Sequence, residues 1–155
     1  MKFKISIVIC AFGILFASCK KETTMQEYMV GNWQTKYINL QMPTYQKSDS
    51  IHIIEDDFSN ENSTLAQSVY KKDSTFTAWY LTPKGEKLSV TTGKWNVKND
   101  SLYIEFTMNN ITTKAKYLVE KTEDGFQGKS LDDWDKDGEI DDFLLMKTKR
   151  LNPEE

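Results

Sequence analysis

From Trp33 onward the chain runs in short stretches of alternating apolar and polar side chains, each closed by a turn signal. Thr75–Leu81 sets Phe76, Ala78 and Tyr80 against Thr75, Thr77, Trp79 and Leu81. Ser101–Met108 sets Leu102, Ile104, Phe106 and Met108 against Tyr103, Glu105 and Thr107. A period of two predicts strands with one face inward and one outward. The same reading predicts strands over 32–42, 51–54, 65–70, 87–97, 111–121, 126–130 and 143–151. In the first of these, Trp33, Thr35, Tyr37 and Asn39 share a phase, while Ile38 and Leu40 fall out of it. Lys72-Asp73, Pro83-Lys84-Gly85, Asn99-Asp100, Asn109-Asn110 and Glu123-Asp124-Gly125 supply the turns. Proline presets φ there, and glycine and asparagine accept a positive one.

The pattern changes at the N-terminus. Met25, Tyr28 and Met29 fall at helical spacing, with Thr24 placed to cap and Glu27 three residues on to complete a capping box; Gly31 ends the helix. Ahead of it, an apolar run over 5–16 follows Lys2 and Lys4 and leads into Ala17, Ser18 and Cys19. About a dozen residues is short of the roughly 20 that span a membrane as a helix. A basic start, a short apolar run and small residues form the secretory pattern. With a cysteine directly after the small pair, the stretch resembles a bacterial lipoprotein signal peptide with its lipobox. That resemblance implies a cleaved signal over 1–18, lipid attachment at Cys19, a tether over 19–24 and one domain over 25–151. Two acyl chains give stable anchoring where one gives only marginal binding. The absence of aspartate after Cys19 implies, by the general sorting rule, the outer membrane of the envelope.

Eight to ten short strands joined mainly by tight turns predict an all-β fold, an antiparallel up-and-down meander. Closure into a barrel of about eight strands removes the edges that an open sheet must protect, and the short N-terminal helix stands before it. Gly31-Asn32-Trp33, at the helix-to-strand junction, resembles the G-x-W signature of lipocalins. From Tyr70 to Ile104, with a second Gly-x-Trp at Gly93-Lys94-Trp95, the chain resembles the lipocalin-like lipoproteins of bacteroidete genomes. The resemblance implies that Gly31 permits the turn, that Trp33 plugs the closed end of the barrel, and that a basic residue late in the last strand packs on that ring. Lys149 and Arg150 both fit, and Arg150 is preferred because a guanidinium stacks better on an aromatic face. A lipocalin-like barrel further implies a small apolar or amphipathic ligand. A barrel of eight strands has room for its own side chains or for one such molecule.

Composition narrows the function. The 155 residues carry a net charge of −3, and losing Lys2 and Lys4 with the signal takes it to about −5. A mildly acidic chain without a basic patch argues against nucleic acid. The two cysteines are Cys10, inside the signal, and Cys19, so the mature domain has no disulfide and no thiol nucleophile. No nucleophile elbow, phosphate loop or paired-histidine zinc motif occurs. The single histidine, His52, reads as an outward strand residue, and Glu55-Asp56-Asp57 as a solvated acidic run. The best local motif is 133–142. Asp133, Asp135 and Asp137 with Gly138 match the first half of a calcium loop, with Glu139 as a further oxygen donor and Asp141 or Asp142 to complete the site. Position 12 of that loop is Leu144, so the bidentate glutamate is missing. The expectation is a non-enzymatic, lipid-anchored monomer that holds a small hydrophobic ligand; the acidic loop reads either as a solvated hairpin turn or as a structural Ca2+ site. The competing reading is a barrel with a filled core that presents loops to a protein or polysaccharide.

Overall fold

The computed structural model describes residues 22–108 and 111–152. The signal over 1–18, the lipid site Cys19 and the Asn109-Asn110 turn lie outside the described residues.

Helix α1 (Met25–Met29) opens the fold with the predicted capping box, Glu27 N–H donating to Thr24 Oγ1 at 3.2 Å and Thr24 N–H to Glu27 Oε2 at 3.0 Å. Nine strands follow: β1 (Gly31–Met42), β2 (His52–Asp56), β3 (Leu65–Tyr70), β4 (Thr75–Leu81), β5 (Lys87–Lys98), β6 (Ser101–Met108), β7 (Ile111–Lys121), β8 (Phe126–Asp132) and β9 (Asp142–Leu151). Every pairing is antiparallel, consecutive strands pair except that β3 pairs with β1 rather than β2, and β9 returns to β1 to close an eight-stranded barrel.

Nine segments make eight staves because β2 and β3 share one position. The first half of β1 pairs with β3 (Gly31 opposite Tyr70) and the second half with β2 (Ile38 opposite Asp56). The chain leaves that stave at Asp57 and rejoins it at Leu65. Asx turns hold the excursion, with Asp56 accepting from Phe58 N–H and Asp57 from Ser59 N–H.

β1 also explains its broken alternation. Its register with β9 shifts between Thr35 and Tyr37, leaving Lys36 as the extra residue of a β-bulge. Before the bulge Trp33 and Thr35 face the interior. After it Ile38, opposite Met146, and Leu40, opposite Leu144, take the inner face. Tyr37 and Asn39 turn outward, and the Tyr37 hydroxyl donates to Glu55 at 2.7 Å. A second bulge, between Ala78 and Tyr80, is taken up on β5 where Ser89 has φ +51°.

The core is gathered at one end. Met29, Trp33, Tyr70, Phe76, Trp95, Leu102, Val119 and Phe126 form one buried cluster. They come from α1, from the starts of β1, β4, β6 and β8, and from the ends of β3, β5 and β7, which in an up-and-down barrel is a single rim. Burying each large side chain contributes roughly 2–3 kcal/mol. Among the described residues the eight staves close and this core packs.

Candidate functional site: the barrel cavity, its plug and the acidic loop

The closed end is built by α1, whose last carbonyls need partners that a short helix cannot supply itself. Trp33 Nε1 donates to Met29 O at 2.8 Å. Arg150 Nη1 donates to Val30 O at 3.0 Å, and Nη2 donates to Tyr28 O. Three consecutive carbonyls are thus taken by one indole and one guanidinium. The guanidinium also lies over the Trp33 ring, 4.1 Å from its centroid. Gly31 makes room for this: its φ is +144°, and a Cβ there would sit on Arg150 Nη1. Phe126 meets Trp33 edge-on at 4.9 Å. Gly31, Trp33 and Arg150 therefore form one unit.

The second Gly-x-Trp does related work across the barrel. Trp95 Nε1 donates to Lys71 O in the β3–β4 turn at 3.1 Å. At Gly93 a Cβ would come 2.6 Å from Phe76 Cε1, so glycine lets that ring lie against β5.

Above this floor the interior is open. Tyr70, Phe76, Gly93 and Phe106 stand on one rung, and the rung above it is Ser68, Ala78 and Thr91. Large side chains fill the lower level; small ones leave the upper level empty. The result is a cavity of about 470 Å3. Its floor is Trp33, Phe76, Phe106 and Phe126, and its walls include Tyr70, Tyr117, Met146 and the hydroxyls of Thr35, Ser68 and Thr91. None of the described residues lining it is charged. Burial pushes the Tyr117 hydroxyl up to about 12, with the Asp132 carboxylate adding to the effect, and burial also raises Tyr70. Both phenols therefore stay protonated donors. A further depression of about 440 Å3 lies against β5–β7, where Lys114 pairs with Glu105 at 3.2 Å.

At the opposite end from α1, the acidic loop joins β8 to β9. The carboxylates of Asp133, Asp135 and Asp142 converge, with ligand oxygens within 4.8 Å of one another. Asp142 is 2% exposed, and its Oδ2 accepts from Trp134 N–H at 2.6 Å and Asp135 N–H at 3.2 Å. Asp133 accepts from Asp137 N–H at 3.1 Å and Gly138 N–H at 3.2 Å. Asp137 and Glu139 do not join the cluster. Asp137 accepts from Glu139 N–H at 2.8 Å and from the Thr44 hydroxyl at 3.0 Å, which hold its carboxyl below the usual range. Glu139 is exposed. Asp141, the alternative to Asp142 for completing the site, also receives the Thr44 hydroxyl, at 3.4 Å, and its Oδ1 is buried without a partner among the described residues.

His52 is exposed, its ring stacked on Tyr45 at 4.5 Å. Glu55, Asp56 and Asp57 each bond to a different neighbour rather than to one another.

Searches of protein-family models, curated proteins and solved structures return no match to this chain. The barrel and its cavity thus carry the functional argument unaided.

Proposed function

We propose that this chain is a lipid-anchored, non-enzymatic envelope protein whose lipocalin-like barrel holds one small apolar or amphipathic molecule. The carrying observation is the cavity of about 470 Å3 over an aromatic floor. Its size lies within the range of roughly 300–1,000 Å3 typical of small-molecule sites. Rings and hydroxyls line it, a surface suited to holding a molecule rather than to moving protons or attacking bonds. The open upper level argues against a barrel that is filled throughout and works only through its loops. Cys19 supplies the lipid attachment, and the protein stays a monomer at the outer membrane.

In this reading the converging carboxylates of Asp133, Asp135 and Asp142 take a Ca2+ ion that braces the β8–β9 hairpin. Oxygen donors of this density suit a hard cation.

Native mass spectrometry of the protein extracted from the envelope tests the main reading. A copurifying adduct of a few hundred daltons, released by denaturation, is the expected result. A barrel that remains free of any adduct and takes up no apolar probe would overturn it.

A further inference from the structure

We infer that the ligand enters the barrel as an uncharged molecule and presents a hydrogen-bond acceptor, such as a hydroxyl or carbonyl oxygen, to the phenols of Tyr70 and Tyr117. The inference rests on the cavity-binding reading above and narrows it to a chemical class.

The first support is the lining. Barrels that take up carboxylates or ammonium groups need a buried counter-charge, because an ion stripped of water with nothing to pair is strongly disfavoured. Among the described residues that line this cavity there is no lysine, arginine, aspartate, glutamate or histidine. The charged side chains of the neighbouring strands are engaged with other groups, Lys87 with the lining ring of Trp79 itself. Lys87 lies over Trp79 at 3.7 Å, Lys147 over Tyr37 at 5.0 Å, and Lys114 pairs with Glu105. The Asp132 carboxylate acts on the lining Tyr117, which opposes an anion further.

The second support is what polarity the lining does hold. Several of its hydroxyls are already engaged: Thr148 Oγ1 donates to Phe126 O at 2.9 Å, Thr91 Oγ1 to Ser89 O at 3.2 Å, and Thr35 Oγ1 to Met146 Sδ at 3.7 Å. The Tyr70 and Tyr117 phenols also line the cavity and stay protonated, Tyr70 with the Ser68 hydroxyl as a hydrogen-bond partner. Apolar rings below and neutral donors on the wall match an amphipathic molecule with an uncharged head, an alcohol, ester, ketone or quinone.

The test uses the chain from Cys19 onward, the form that the proposed processing leaves. The uncharged fluorophore N-phenyl-1-naphthylamine reports occupancy of the cavity. Dodecan-1-ol, dodecanoate and dodecyltrimethylammonium compete for it at about pH 8, where the carboxylate is ionised. The alcohol should displace the fluorophore at a concentration roughly tenfold or more below either ion. Tyr117→Phe should raise the alcohol's half-displacing concentration roughly 3- to 10-fold once corrected for the fluorophore's own affinity, measured in the same variant. Tyr70→Phe serves as the second variant should Tyr117→Phe fail to fold. Thr91→Lys should reverse the order in favour of dodecanoate. Displacement by either ion as effective as by the alcohol would overturn the inference while leaving cavity binding intact. An unchanged response in both phenylalanine variants would remove the phenols from it. Failure of the fluorophore itself to bind would sink the cavity reading and this inference together.

Discussion

At the scale of single residues, the closed end of the barrel turns on Gly31 and Arg150. The guanidinium occupies the space where any other residue at 31 would carry its Cβ, and it also takes the carbonyls of Tyr28 and Val30. Gly31→Ala should therefore destabilise the fold by about 1–3 kcal/mol, through strain at positive φ and displacement of Arg150. Arg150→Ala should cost about 1–3 kcal/mol by leaving those carbonyls without a partner. In the double variant the clash is already gone, so the two costs should sum to less than their separate values. Urea unfolding of the three variants measures this, and strict additivity would show that residue 31 and Arg150 act independently. Tyr117 gives a second prediction, in pH. Its hydroxyl is near 12 in the fold against 10 unfolded, so the folded state holds its proton longer. Stability is fully present below about pH 10 and falls as pH rises towards 12, by about 3 kcal/mol at most. Tyr117→Phe should flatten that limb of the stability–pH curve, followed by chemical denaturation between these limits.

At the scale of elements, strand bounds were legible because turn residues punctuate them; Pro83-Lys84-Gly85 and Asn99-Asp100 fall between β4 and β5 and between β5 and β6. The inner face of β1 was not, because alternation assumes an unbroken pleat and the Lys36 bulge shifts its phase midway. Nor was the sharing of one stave by β2 and β3, since sequence separation hides that Asp57 and Leu65 leave and rejoin the same edge. The capping box at Thr24 and Glu27 was legible because it is local. The acidic loop was legible in part. Spacing pointed to Asp133, Asp135 and Asp137, and the first two do converge, with Asp142, but hairpin geometry turned Asp137 towards Thr44 on the β1–β2 connection, a contact between residues far apart in sequence. This element yields a third prediction. If the converging carboxylates hold Ca2+, millimolar calcium should raise the melting temperature and chelation should lower it. Asp135→Asn should abolish that response. Asp142→Ala should also destabilise the calcium-free protein, by about 1–3 kcal/mol, because its buried carboxylate holds two backbone N–H groups. A melting temperature indifferent to calcium would leave the loop as a hydrogen-bonded turn alone.

At the scale of the whole molecule, the plug and the mouth lie at opposite ends, and so do their surfaces. The emptiness of the upper barrel could have been read from small residues at inward positions, Ser68, Ala78, Thr91 and Ala115, once the inner face of each strand was known. Exposed apolar side chains cluster around the mouth, on β2 (Ile53), β5 (Val90), β8 (Leu131) and the β8–β9 loop (Ile140, 68% exposed). The tether meets the other end, where Lys121 Nζ donates to Thr23 O at 2.7 Å beside α1. Six tether residues reach at most about 20 Å. A strand as long as β1, 12 residues, spans about 40 Å along its own axis and roughly 30 Å along a tilted barrel. On the proposed reading, with Cys19 lipidated, a tether this short predicts the closed end nearer the membrane and the mouth away from it. The ligand would arrive from the aqueous side or from a partner there, rather than by the barrel dipping its mouth into its own bilayer. Fluorophores on Lys98→Cys, at the closed end, and on Lys84→Cys, in the β4–β5 turn at the mouth, test this in liposomes bearing the lipidated protein. Lipids spin-labelled at the headgroup should quench the first strongly and the second little. Equal quenching at the two positions would mean that the barrel lies flat on the surface, and stronger quenching at 84 that the mouth, with its apolar rim, meets the bilayer.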